Sequence, residues 1–415
     1  MIDPAMERLL SHMVQIDASD LYLTVGAPPV FRVAGTGHAG RVPLTPEQVA
    51  AMAASLMTPE QQGEFARALE MNLAIALEGR GRFRINVFRQ RGAVGLVARL
   101  VRTSIRTLDE LGLPTVLKDV ALSARGLVLV AGATGSGKST TLAAMIDHRN
   151  QTESGHIVTI EDPVEFIHEH KKCVVTQREV GLDTLSYGDA LKNTLRQAPD
   201  VILIGEIRNV ETMEAAVAFA ETGHLCISTL HANNANQAIE RILNFFPADR
   251  QREICLQLSL NLRAIVSQRL VKSHEGGRAA ALEILLDAPR IRDLIKRGEI
   301  EALKDAMEQN AAMGCRTFDA ALYDLVAQGR IEEAEALRAA DSANNLRLRL
   351  ERLRQSGGGP AAEEQEAPLR LRPEGEFEAP PRTAAGPRPP KPGLRTQIGP
   401  GGGVAAPASR QTARS

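Results

Sequence analysis

Tryptophan is absent from this chain of 415 residues, and tyrosine (three) and phenylalanine (ten) are scarce. Single-stranded nucleic acid is held by aromatic platforms interleaved with basic residues, and that pattern is missing. Positive charge is not in excess either: 49 Lys and Arg stand against 50 Asp and Glu, a formal net charge of −1. A broad electrostatic footprint for a polyanion is thereby excluded, and nucleic acid is not an expected partner. The four cysteines, Cys173, Cys226, Cys255 and Cys315, form no C-x-x-C pair. Their spacing argues against a zinc site of local ligands and is consistent with a reducing compartment. No stretch of about 18 apolar residues occurs. The opening "MIDPAMERLL" has no basic segment followed by an apolar run, so no signal peptide is read. The expectation is a soluble, cytoplasmic protein that can still dock on a membrane protein.

What is there is an ordinary globular composition, 44% hydrophobic and 24% charged, with length for two or three domains. Residues 1–100 mix signals. "PAMERLLSHMVQI" has helical spacing; "ASDLYLTV" and "PPVFRV" read as short strands around the turn "GAPP". Thr45 is a candidate N-cap for "TPEQVAAMAASL", with Glu47 in its first turn. "MNLAIAL", "GRFRINVFRQ" and "AVGLVARLV" are further strands. The sum is a small α+β domain, followed by a linker over 101–113.

From Gly126 the pattern changes. "GLVLVAG", "HIVTIED", "VILIGE" and "LCISTLH" are short apolar runs of the kind buried on both faces of a sheet. Helical stretches separate them, which predicts a parallel sheet with helices on its faces. Beyond Asn234 the chain reads as mainly helical to Leu353, so the second domain is placed at 114–354. Residues 355–415 are rich in Gly, Pro and Ala, acidic first and basic later. They lack the apolar content to offset ordering entropy, and a disordered, solvated tail is expected.

The stretch Gly132, Ala133, Thr134, Gly135, Ser136, Gly137, Lys138, Ser139 and Thr140 contains G-x-x-x-x-G-K-[ST] without a gap, between a strand and a helix. Such a loop turns backbone N–H groups onto phosphates, with Lys138 reaching the β and γ oxygens and Ser139 ligating Mg²⁺. Hydrolysis also needs a metal partner and a group that orients water, both at the carboxyl ends of neighbouring strands. Three strand ends qualify. Glu206 stands where a Walker B carboxylate would hold Mg²⁺, partly through water. Glu161 is the choice for activating water, with Asp162 beside it either assisting the metal or ordering the loop. His231 either senses the γ-phosphate or is a satisfied core histidine.

Four boxes, "GATGSGKST", "IEDPVEF", "RQAPDVILIGEIRN" and "TGHLCISTLHANNA", occur in this order. Together they resemble the secretion ATPase superfamily, and within it the PilT/PilU family of type IV pilus retraction ATPases. The likeness covers about residues 1–350. It implies a fold of a PAS-like α+β N-terminal domain and a RecA-like ATPase domain, hexameric rings, and ATP with Mg²⁺ bound between the domains. Carried over by motif, Glu161 matches the general base, Glu206 the Walker B glutamate, and His224 and His231 the two His-box histidines. A first-domain arginine reaches the γ-phosphate in this family. Arg82, Arg84 and Arg99 are candidates, and the choice among them stays open.

Extension and type II secretion ATPases, the alternative of the same fold, usually carry a tetracysteine zinc motif that is missing here. "RIRDLIKRGE", Arg290 to Glu299, departs from the retraction motor's A-I-R-N-L-I-R-E helix, and the segment after it looks more like the accessory, PilU-type branch. The resemblance therefore implies a PilT-type retraction ATPase and a PilC-like inner-membrane platform protein as partners, with peripheral attachment at the pilus base. An ATP-binding regulatory subunit with little turnover is the other reading.

Overall fold

The computed structural model describes residues 2–33, 35–101, 104–274 and 276–355. Two sheets organise them. The first is antiparallel throughout and is built from β1 (Ala18–Leu23), β2 (Val30–Val33), β3 (Thr36–Ala39), β4 (Glu70–Leu77), β5 (Gly81–Gln90) and β6 (Ala93–Val101). Its strand order is β3-β2-β1-β6-β5-β4. Alternation sends Phe83, Ile85 and Val87 of β5 to one face, where they pack with Met6, Leu10 and Met13 of the helix Pro4–Gln15. The expected cap at Thr45 forms: Thr45 and Gln48 satisfy each other's backbone N–H in a capping box. A second such box, at Thr58, starts the helix Pro59–Ala68, which the sequence reading did not separate from its surroundings.

The other face of this sheet carries charge. Register places Asp20 of β1 opposite Arg99 of β6, and Arg99 opposite Arg84 of β5. Residues directly opposite share a face, so the three form one row across three strands. Asp20 is buried and accepts from Arg99 Nε at 2.9 Å.

The second sheet contains β7 (Gly126–Ala131), β8 (Gly155–Glu161), β9 (Cys173–Glu179), β10 (Val201–Ile204), β11 (Leu225–Leu230), β12 (Leu262–Lys272) and β13 (Arg278–Leu286). Its order is β13-β12-β7-β11-β10-β8-β9, and every pairing is parallel except that of β12 with β13. All positions of β7, β10 and β11 are buried, because helices cover both faces. That is the βα alternation expected from the apolar runs.

One expectation is incomplete here. The region after Asn234 is mainly helical, as expected, but β12 and β13 form a long hairpin within it. The sheet is accordingly mixed rather than wholly parallel. The cause is burial: β12 lies beside β7, so its apolar residues show no clean alternation and cannot be told from a buried helix by period. The last described helix, Ala343–Gln355, includes the residue from which the tail was drawn. The remainder of that expectation, 356–415, lies outside the described residues.

The sheets meet through the charged row. Arg84 Nε donates to Glu179 Oε1 at 3.1 Å, and Glu179, at the end of β9, is 3% exposed. A buried carboxylate that loses its cation is left with its desolvation cost. Arg84→Ala should therefore lower unfolding stability by about 1–3 kcal/mol, discounted because the arginine is partly exposed, while Arg84→Lys recovers part of it. Urea unfolding of the three proteins measures this. No loss in the alanine variant would mean that the pair does not hold the sheets together.

Candidate nucleotide site

Parallel register decides what meets at the site. Ile160 of β8 lies level with Ile204 of β10, Ile204 with Ser228 of β11, and Leu230 with Ala131 of β7. The residues at or just past these strand ends, Glu161, Glu206, His231 and Gly132, are thereby gathered at one edge of the sheet. Glu161, Glu206 and His231 border a cleft of about 1040 Å³ whose lining includes Thr134, Gly135, Gly137, Lys138, Ser139 and Thr140. Ala133 and Ser136 line a smaller pocket of about 280 Å³ behind the loop.

The loop shape depends on glycine. Gly132, Gly135 and Gly137 have φ of 155°, 77° and 88°. A Cβ on Gly132 would lie 2.4 Å from Ser136 Oγ, and one on Gly137 2.7 Å from Gln268 Nε2. The helix Lys138–Thr152 leaves the loop with its amino end toward the cleft. Lys138 Nζ folds back to donate to the carbonyls of Gly132 and Ala133, at 2.7 and 3.0 Å. Burial pulls its pKa down, against the opposing pull of Glu206. Ser136 Oγ is buried without a hydrogen-bond partner among the described residues. A cradle of this curvature with an unsatisfied hydroxyl, a cation and a helix amino end fits a phosphate chain.

The two carboxylates differ in surroundings. Glu161 accepts from Thr159 Oγ1 at 2.8 Å and more weakly from Gln177 Nε2 at 3.4 Å. Burial dominates and pushes its pKa up to about 7. Glu206 sits between two donors: Arg208 Nε is 2.7 Å from Oε2, and His231 Nε2 is 3.2 Å from Oε1. Arg208 also reaches Asp162 at 3.3 Å. The Glu206 hydrogen bond is the main reason that the Arg208 pKa is raised. Asp162 is thereby tied to the same arginine as Glu206.

The first-sheet arginines separate. Arg99 lines the cleft while bonded to Asp20; Arg84 is taken by Glu179; Arg82 lies outside the lining. One expected site residue falls elsewhere. His224 precedes β11 at its amino end, and its Nδ1 faces Thr222 Oγ1 and the Phe219 carbonyl. A strand rising about 3.3 Å per residue separates it from His231 at the carboxyl end. Within this chain it is not with the nucleotide-binding residues, and its motif position alone gave no hint of which end it occupies. The sequence reading also missed Arg208 and Tyr187, both of which line the cleft. The first was visible in "GEIRN"; the second had no local signal.

Comparison with known proteins adds four findings. A family model described as type II/IV secretion system protein matches residues 6–346. The type IV pilus ATPase PilU of Pseudomonas aeruginosa is 56% identical over 344 residues, covering 82% of this chain and 90% of the relative. The type IV pilus retraction ATPase PilT of the same organism is 43% identical, covering 81% and 98%. Among solved structures, the pilus retraction motor PilT with bound ADP superimposes with a TM-score of 0.77 at 40% identity, over 82% of this chain and 98% of that one.

The raised pKa of Glu161 carries a stability consequence. Its folded value of about 7 lies above the ordinary 4.5, so the native state keeps a proton that the unfolded chain releases. Stability from this group is full below pH 4.5 and is lost as pH rises through 7. Glu161→Gln should thus be more stable than the natural protein at pH 8, by on the order of 1–3 kcal/mol, and about equal at pH 4.5. Urea unfolding at both pH values tests it; an unchanged difference between them refutes the assignment.

Proposed function

Since the chain belongs to the type II/IV secretion system protein family, we propose that it is a retraction ATPase of type IV pili, assembled as a homo-hexamer and acting as a PilU-like accessory to a PilT-type motor. That it is an ATPase follows from the family and from its PilU and PilT relatives. The accessory role is favoured by the higher identity to PilU than to PilT. The observation that carries the chemistry is the convergence, at one cleft, of the glycine cradle, a carboxylate with a pKa of about 7, and the Glu206–Arg208–His231 cluster.

In this reading the loop amides, Lys138 and Ser136 bind ATP phosphates. Among the described residues no group of three His, Cys, Asp or Glu is placed to hold a metal alone. Mg²⁺ suits such a site, because it takes few protein ligands and keeps phosphate oxygens and water. Ser139 and Glu206 would hold it, and when bound it neutralises charge developing on the phosphates. Glu161, half ionised near neutrality, accepts the proton of the attacking water. His231 and Arg208 orient Glu206. A first-domain arginine of one subunit completes the next site, with Arg82, Arg84 and Arg99 as candidates; Arg99 also borders the cleft of its own chain. Rotation between the two sheets then works on a PilC-like platform protein at the inner membrane, where the ring attaches peripherally. Among the described residues no helix is long and apolar enough to cross a membrane.

The test is ATP turnover by the purified full chain with Mg²⁺, beside Lys138→Ala and Glu161→Gln, with light scattering on each. We expect a particle near six chains and a loss of turnover of about 10²–10⁴-fold in Glu161→Gln. Pilus retraction with and without a PilT-type partner then separates the accessory role from independent action. A monomer with no turnover above Lys138→Ala overturns the motor reading in favour of a regulatory subunit.

A further inference from the structure

One more polar side chain faces the cradle, from the strand that the sequence did not reveal. On β12, Ser267 lies level with Ala131 of β7, so the next residue, Gln268, stands beside the start of the loop. Gln268 is 4% exposed and lines the cleft. Thr141 Oγ1, on the helix that leaves the loop, donates to Gln268 Oε1 at 2.7 Å. With its oxygen so occupied, the amide turns Nε2 toward the loop, within 2.7 Å of where a Gly137 Cβ would be. No acceptor bonds Nε2 among the described residues, and the neighbouring Ser136 Oγ is buried without a partner. Two donors without a protein acceptor and the Lys138 ammonium thus surround one stretch of loop. Donors at that density are complementary to phosphate oxygens.

We propose that Gln268 is a phosphate ligand of the cradle. Its Nε2 donates to a phosphate oxygen of the bound nucleotide, and its Oε1, held by Thr141, keeps the amide turned that way. This rests on the nucleotide-binding reading above and adds a residue to it from outside the loop motif.

The experiment is titration of the full chain with fluorescent ADP and a non-hydrolysable ATP analogue, with Lys138→Ala as control. Gln268→Glu keeps the size and the acceptor for Thr141 but replaces the donor with negative charge. It should weaken nucleotide binding about tenfold or more. Gln268→Met, which removes the donor without adding charge, should weaken it about threefold to tenfold. Thr141→Val, which only frees the amide to turn, should cost less than either. Melting of each variant without nucleotide verifies that it is folded. If Gln268→Glu binds within twofold of the natural protein while Thr141→Val is impaired, the side chain merely braces the helix and the proposal fails. If the natural protein binds neither nucleotide, the reading of the preceding section falls first. If Lys138→Ala alone loses binding, only the role of Gln268 falls.

Discussion

Parallel register is the constraint on which the site depends. Strands β7, β11, β10 and β8 run side by side in one direction and end near the same edge. Residues at or just beyond those ends are therefore neighbours however distant they are in sequence. Glu161, Glu206 and His231 are gathered near Gly132 in this way. A shift of one residue in any strand would turn its side chains to the other face and break up this grouping.

Several charged groups around the cleft are already paired. Lys138 is bonded to loop carbonyls, Glu206 to Arg208 and His231, and Arg99 to Asp20. An unpaired charge in so enclosed a place would be costly, so the protein supplies internal partners. A triphosphate entering the cradle exchanges these contacts for its own rather than meeting bare charges. The net gain is a difference between two well-solvated arrangements. Glu161 is the exception: it has only neutral donors, and its surroundings favour the proton instead.

The strands and helices around the loop motif were legible because their signals are local. A strand, three glycines, a lysine and a helix declare the cradle, and apolar runs that end in a carboxylate declare Glu161 and Glu206. What was illegible depended on tertiary neighbours. β12 and β13 have runs without a readable period because β7 and the surrounding helices bury them. Gln268 could not be placed while its strand was unassigned. His224 and His231 look equivalent in sequence, yet a strand lies between them and sends them to opposite edges. Arg84 could be named as a candidate, but only the approach of β9 shows that Glu179 holds it.

The hairpin strand β12 has a further consequence. Successive residues on a strand point to opposite faces. Gln268 turns toward the loop, while Arg269 turns the other way, stacks 3.8 Å over the Phe318 ring and binds Asp341 and the Ala339 carbonyl. One peptide unit thus has a hand on the phosphate loop and a hand on the helices at the far end of the described chain. The contacts that brace the loop and those that hold these helices are thus separated by a single peptide bond, and a substitution that shifts the backbone of β12 at this point disturbs both at once.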